Sequence, residues 1–396
     1  MYKGKIVNFE LLYVDGEIYS DQYLADLTYH MIMTDIDSAV KEGHDAIIGL
    51  LLMDGFLYKD NDIFYKNLKR IQASAFEIGI KKIVLVTGMC EDFQYQLASK
   101  GLNYEIVFFD FTHNMVFQSY LGKENLLPKW NSSADKFLFL GGVPSRHNRI
   151  SLLSKFYDKN ILDNCVWSFF KPWTEHDKTW CREALSHYTD EKYEKFLKEC
   201  DRSIDDRYQE AKDYSRLEGK DLKNSDVHEK DWCKDPSWID PSVFSETLFS
   251  IISEGNAYPP ATDYRFLTEK TWRTVAMRHP FIFAGEPEQY HYAKSKGIRT
   301  FEQYLLIEDY ADIQYEDHRL DSIVKNTEYL LENVKDHGQQ ILEDVEHNYD
   351  VFVDVARYNG ELLNYLSKEF DVPTEQIDHW FNRKSFVHLL RIADGN

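Results

Sequence analysis

Two hydrophobic periods organise this chain. Over the first ~125 residues, short apolar runs alternate with stretches whose apolar positions recur every three or four residues, the signature of alternating strands and helices. Strands are predicted at Ile6 to Val14, Ala46 to Met53, Lys82 to Val86 and Tyr104 to Phe109. Helical patterns fall between them at about Tyr23 to Glu42, Ile63 to Glu77 and Glu91 to Lys100. Runs such as AIIGLLLM and KIVLV are almost continuously apolar, as strands covered on both faces require. The pattern predicts a doubly wound parallel sheet.

The segment KENLLPKWNSSADK, Lys123 to Lys136, interrupts this alternation with Pro128 and an Asn-Ser-Ser cluster and reads as an interdomain linker. A second α/β unit opens with Phe137 to Leu140, the loop GGVPSRHNR and a helix from about Ile150 to Tyr157. It resumes at Val243 and runs to about Phe301. Between these parts, about Thr174 to Asp240 is highly charged, bears Trp and Tyr, and shows helical stretches without a strand pattern. This predicts an inserted helical subdomain, either a lid or acceptor platform or a solvated helical face. From about Asp309 the pattern is helical. Leu320, Ile323, Val324, Thr327, Leu330, Leu331 and Val334 share one face, and Ile341, Val345, Tyr349 and Phe352 continue it beyond His337-Gly338. The tail is expected to pack back across the domains, with a coiled-coil dimer arm as the alternative. The expected fold class is therefore α/β, with two Rossmann-like domains at 1–128 and 134–305, a charged helical insertion at about 174–240 and a helical tail at 306–396.

Composition agrees with this division. At 396 residues the chain exceeds the size at which one core usually stays single. A hydrophobic share of 43%, with 26 Tyr and 25 Phe, excludes global disorder. No run of about 18 apolar residues is present, so no membrane span is expected. The N-terminus, MYKGKIVNFELLYV, lacks signal-peptide architecture and reads as a first strand. Five scattered cysteines without C-x-x-C spacing fit free thiols in a reducing cytoplasm. The net charge of -21 disfavours nonspecific binding to nucleic acid, while leaving room for a local basic cleft.

The candidate chemistry concentrates in Leu248 to Gly285, where Glu254, Glu269 and Lys270 stand at the breaks between elements. Charged residues at the carboxyl ends of apolar strands are where open α/β sheets hold ligands. A second candidate is the loop Gly141 to Arg149, which follows a strand and opens a helix. Its glycines permit close backbone approach, the helix N-terminus favours an anion, and Arg146 and Arg149 can contact phosphate oxygens. The alternative is an ordinary turn whose arginines face water. For a general base, strand ends in the first half offer Asp54, Asp110 and His113, each also a natural cap or turn residue. Asp35-Ile36-Asp37 and Asp60-Asn61-Asp62 spell D-x-D, but the first falls in a helical pattern and the second in a loop before a helix. The histidines show no clustered ligand spacing, and no G-x-S-x-G elbow occurs.

The residues FLTEKTWRTVAMRHPFIFAG, the preceding SIISEGN and the upstream VPSRHNRISLLSKFYDKNILDN resemble the nucleotide-binding half of fucosyltransferase-type glycosyltransferases of the GT-B fold. They are closer still to glycosyltransferases of large tailed bacteriophages. The resemblance covers roughly Phe137 to Tyr157 and Leu248 to Phe301. It implies that Glu269 binds the ribose hydroxyls of a donor nucleotide, Lys270 and Arg149 its phosphates, and that Glu254 lies near the donor sugar. Thr268 belongs to the matched Tyr-x-Thr-Glu-Lys segment. Phe266 stands where that family has a base-stacking Tyr, which keeps stacking, loses the hydroxyl and leaves base and sugar open. The implied activity is inverting, metal-independent transfer from a nucleoside-diphosphate sugar to an acceptor hydroxyl on a glycan, a protein or a modified DNA base, with no cofactor beyond the co-substrate. Two alternatives stand beside it: a phage-type DNA glycosyltransferase acting on hydroxymethylated bases, against which the net charge weighs, and a catalytically silent GT-B-like interaction module. The helical tail could support an oligomer.

Overall fold

The structure, a computed structural model, describes residues 2–9, 22–51, 62–88, 92–120, 127, 129–142, 147–169, 175–202, 241–254 and 267–377. In chain order, the first part contains β1 (Gly4–Asn8), α1 (Gln22–Lys41), β2 (Ala46–Leu51), α2 (Asp62–Glu77), β3 (Lys82–Thr87), α3 (Asp92–Ser99), β4 (Glu105–Phe108) and α4 (Phe111–Tyr120). There follow β5 (Phe137–Gly142), α5 (His147–Asp158), β6 (Cys165–Phe169), α6 (Glu175–Ala184), α7 (Asp190–Arg202), a short α8 (Ser242–Ser245) and β7 (Ser250–Ser253). The last part holds α9 (Glu269–Ala276), β8 (Phe281–Ala284), α10 (Pro287–Ser295), α11 (Glu316–Asn333) and α12 (Gly338–Phe370). The chain is thus mixed α/β with two parallel four-stranded sheets. Two compact units form, one from described residues of 2–114 and 355–377, the other from 115–254 and 267–354. The residues after 306 are accordingly divided between the units at Asp354/Val355.

The first sheet runs β1-β2-β3-β4, all parallel, with Ile6 opposite Ile48 and Ile48 opposite Val84. Its order follows the sequence without reversal, which differs from the doubly wound expectation. Right-handed crossovers that all step in one direction put their helices on one face. Val7, Ile47 and Leu85 on that face pack with Ile36 of α1, Leu68 of α2 and Leu97 of α3. Ile6, Ile48, Val84 and Val86 point to the other face, where Leu363, Leu366 and Phe370 of α12 cover them. Apolar periodicity shows that both faces are buried but cannot say which helix covers which. Gly49 explains the one gap in the run AIIGLLL: a Cβ there would lie 2.8 Å from both Leu85 and Phe9 side chains.

The second sheet has the order β6-β5-β7-β8, again all parallel. The chain leaves β5 to one side for β6, then returns to the other side for β7, so the order reverses between β5 and β7. Phe137 and Phe139 of β5 meet Phe156 of α5 at ring distances of 5.2 and 5.6 Å. Leu138 and Leu140, of opposite parity, lie under α9 with Ser250 and Ile252 of β7. The register of β5 against β6 slips between Leu140 and Gly142, a bulge at Gly141 where the strand ends. Strand β6, CVWSF, has no counterpart in the sequence reading, because five residues with one small polar position give no decisive period. Helix α4 was likewise unanticipated.

Within the charged insertion, α6 and α7 are helical, and residues 203–240 lie outside the described part. Helix α7 is docked rather than merely solvated: Phe196 is buried against Tyr157 of α5 at 5.5 Å. Further on, Leu320, Ile323, Val324, Thr327, Leu330 and Val334 are buried as their spacing predicts, with Leu331 half-buried. A 3-10 turn at Val334–His337 then leads into α12, at the break read from His337-Gly338. Among the described residues no helix is long and apolar enough to cross a membrane.

Candidate functional site

In an open α/β sheet the crevice for ligands opens at the carboxyl ends of strands where the order reverses. In the second unit that point lies at the ends of β5 and β7. Three pieces of chain converge there: the start of α5, the residue after β7, and the first turn of α9.

Glu254, immediately after β7, joins them. Its side chain is fully buried. Its backbone N–H donates to the Ala284 carbonyl at 3.2 Å, and its carbonyl accepts from Asn148 Nδ2 of α5 at 3.2 Å. Oε1 accepts the Thr268 N–H at 3.1 Å and the Thr271 hydroxyl, which ties the carboxylate to the N-terminus of α9. Among the described residues Oε2 has no hydrogen-bond partner. A buried polar atom left in that state costs about 1–3 kcal/mol, so it marks a place that a donor would fill favourably. Gly285 allows this packing: a Cβ there would lie 3.1 Å from Glu254 Cβ and 2.6 Å from the Phe283 ring.

Helix α9 starts from Thr268, which has extended backbone and whose Oγ1 accepts the Lys270 N–H at 3.2 Å. Trp272, Val275 and Ala276 bury its inner face. The first turn carries two charges, Glu269 and Lys270, and Arg273 follows one turn along. Glu269 Oε1 lies 3.0 Å from Lys270 Nζ and 3.9 Å from Arg273 Nη2. Burial pushes the Glu269 carboxyl up, but the neighbouring charges of Lys270 and then Arg273 outweigh it and hold the group down at about 2. An acidic residue is favoured at a helix N-terminus, whereas a lysine there opposes the helix dipole. Helix stability therefore accounts for Glu269 and does not account for Lys270. Arg273, which the sequence reading passed over, is only 5% exposed, and its Nε has no partner among the described residues. The legible signal was its i+4 spacing from Glu269. A small cavity of about 20 Å³ beneath this turn is lined by Leu140, Ser253, Lys270 and Arg273 among others, room for a single water-sized group.

Arg149, the third residue of α5, is 6% exposed, so it does not face water. Arg146, Phe266 and Asp54 lie outside the described residues. The remaining candidates from the first half fall in the first unit. Asp110 precedes α4, and its Oδ1 accepts the Thr112 hydroxyl at 2.9 Å and the His113 N–H at 2.8 Å. This is an N-cap arrangement. His113 is fully buried in the first turn of α4. Asp35 and Asp37 sit on α1 either side of buried Ile36, and Asp37 pairs with Lys41 at 2.5 Å. Side chains two apart on a helix diverge, so these two do not form a metal pair. Among the described residues no cluster of three or more His, Cys, Asp or Glu could hold a metal ion.

At the opposite, amino end of the second sheet, His279 is a buried clasp that sequence reasoning missed. Its Nδ1 lies 2.8 Å from Ser250 Oγ and its Nε2 2.9 Å from the Thr247 carbonyl. Burial pulls its pKa down to about 4, against the hydrogen bonds to the Thr247 and Phe244 backbone.

The fold thus defines an α/β protein with a strand-order reversal and a charged crevice edge in its second sheet. No family model, curated protein or solved structure matches the chain.

Proposed function

We propose that the second unit binds a nucleoside-diphosphate sugar at the first turn of α9, and that the chain is a GT-B-type glycosyltransferase. It transfers the sugar to an acceptor hydroxyl with inversion and without a metal. The observation that carries this reading is Glu254. It is a buried carboxylate at the reversal point, with one oxygen fixed to the start of α9 and the other without a donor among the described residues. Beside it stands Lys270, a cation that the helix dipole does not favour. A ligand that brings hydroxyl donors together with an anion suits such a pair, and a nucleotide sugar brings both.

The chemistry follows from charge. Loss of a nucleoside diphosphate from the anomeric carbon builds negative charge on the departing phosphate, and fixed cations in a preorganised site lower that barrier. In this reading Lys270 and Arg149 meet the phosphates, Glu269 accepts from the ribose hydroxyls and Glu254 faces the sugar. The sequence resemblance supplies these roles, and the convergence of α5, β7 and α9 supports them.

The test is calorimetric titration of nucleoside diphosphates into the full chain and into Lys270→Ala and Arg149→Ala. Both variants should bind more weakly than wild type. Unchanged affinity in both would sink the assignment. A wild-type protein whose melting temperature no nucleotide or nucleotide sugar raises would favour the silent interaction module, since a ligand at about 100 times its Kd stabilises by about 2.7 kcal/mol.

A further inference from the structure

We propose that Arg273 is a positioning residue that takes over Glu269 when a ligand anion draws Lys270 away, so that α9 exchanges one ion pair for another on binding. This rests on the reading of α9 as the nucleotide site and adds a residue and a mechanism to it. Lys270 Nζ lies 3.0 Å from Glu269 Oε1, nearer to it than Arg273. A phosphate must therefore compete with Glu269 for that cation. Moving Lys270 toward the phosphate strips a largely buried carboxylate of its closest counter-charge. Glu269 would then turn toward water or the ligand's own phosphates, and its orientation for hydroxyl donors would be lost.

Arg273 stands where it can prevent this. It lies one turn along α9, its Nη2 already 3.9 Å from Glu269 Oε1, and this loose contact is its one ion pair among the described residues. Among the described residues Nε has no hydrogen-bond partner. Nε and Nη2 share one edge of the guanidinium, the edge that takes a carboxylate side-on through two parallel hydrogen bonds. The atom nearest Glu269 and the atom without a partner therefore form the matching fork. Closing the gap by about 1 Å brings Nη2 into hydrogen-bond range. Only 5% of Arg273 is exposed, so water competes weakly for it. Lys270, at 20% side-chain exposure, is the better placed of the two to leave for a ligand.

The exchange predicts a coupling rather than a simple loss. Nucleoside diphosphates and inorganic pyrophosphate would be titrated into the full chain as wild type, Arg273→Gln, Arg273→Lys, Glu269→Gln and Glu269→Gln/Arg273→Gln. Arg273→Gln should weaken nucleoside diphosphate binding about tenfold when Glu269 is present and less than about twofold when residue 269 is Gln, the scale of coupling between contacting charged groups. Arg273→Lys keeps the charge and most of the packing but lacks the fork, and should fall between wild type and Arg273→Gln. Glu269→Gln frees Lys270 and should tighten pyrophosphate, which has no ribose to lose. An equal effect of Arg273→Gln in both backgrounds, or none in either, overturns the proposal while Lys270→Ala still abolishes binding. If Lys270→Ala leaves affinity unchanged, or the wild type binds no nucleoside diphosphate, the site reading fails and the proposal with it.

Discussion

Asp110 and Glu254 are both acidic residues just beyond the end of a parallel strand, and the two sheets use them differently. Asp110 turns back on the helix that begins at the next residue and spends Oδ1 on its first turn. Glu254 reaches forward to a helix that starts at residue 269 and retains a buried oxygen without a donor among the described residues. Strand order underlies the contrast. In the first sheet each strand follows its predecessor, and α1 to α3 pack side by side on one face. In the second, β5 is flanked by β6 and β7, and crossovers depart in opposite directions. Only such a reversal opens a crevice at the strand ends. A strand-end carboxylate is therefore a site candidate when it has acceptor capacity left over and cations nearby, and a cap when it has neither.

The sharpest way to break this comparison is Glu254→Ala. It leaves the Thr268 N–H and the Thr271 hydroxyl without their acceptor in a buried position. Two such losses should cost about 2–4 kcal/mol in denaturant unfolding of the second unit. Glu254→Gln keeps a carbonyl oxygen for both donors and should lose less than about 1 kcal/mol, yet it fills the Oε2 position with an NH2 group. Retained stability with weakened nucleotide binding is the expected signature. A fully stable Glu254→Ala would show that the carboxylate does not hold α9.

Acidity should separate the units next. The His279 clasp belongs to the second sheet, and its pKa is lowered from an unfolded value near 6.5 to about 4. The unfolded chain then binds the proton first, so the contribution of neutral His279 is fully present above about pH 6.5. It falls away as the pH drops toward 4. The loss between pH 7.5 and 5 should be about 2 kcal/mol. His279→Gln, less stable at neutral pH, should show a flatter profile in that window. Glu269 acts lower: its depressed carboxyl contributes above about 4.5 and is lost as pH falls toward 2. Hydrogen exchange should therefore report loosening of β7 and β8 at pH 5 with β1 to β4 unchanged. Equal loosening of both sheets would refute the clasp.

Much of this architecture is legible in the residues, and the misses have physical causes. Continuous apolar runs such as AIIGLLLM and KIVLV announced buried parallel strands, and the stripe Leu320, Ile323, Val324, Thr327 announced α11. Strand order is another matter, because it depends on which neighbours pair and not on the period within any one run. The reversal at β5 was therefore invisible, as was the use of α12 to cover the first sheet. In the site, Glu254, Glu269 and Lys270 stood out as charges interrupting apolar segments. Arg273 did not, since it sits inside a helical pattern where an arginine reads as surface. Its burial follows from the packing of Trp272 and Val275 on either side, which only the folded unit reveals.

The smallest expected effect is at Asp110, and it also decides whether the comparison is too simple. Asp110→Ala removes a side-chain cap and should cost about 1 kcal/mol, clearly less than Glu254→Ala. Asp110→Asn should cost almost nothing, because asparagine caps a helix about as well as aspartate. If Asp110 is only a cap, Asp110→Asn should keep wild-type stability and wild-type turnover in a donor-hydrolysis or transfer assay. If it is instead the base that activates the acceptor, Asp110→Asn should keep the stability and lose activity by about 10²–10⁴-fold. The two roles share one residue but not one atom. Capping uses Oδ1, which the amide oxygen can replace, whereas a base needs a carboxylate that the amide cannot supply. A stable, inactive Asp110→Asn would mean that the first sheet also places chemistry at a strand end, without the reversal that marks the second.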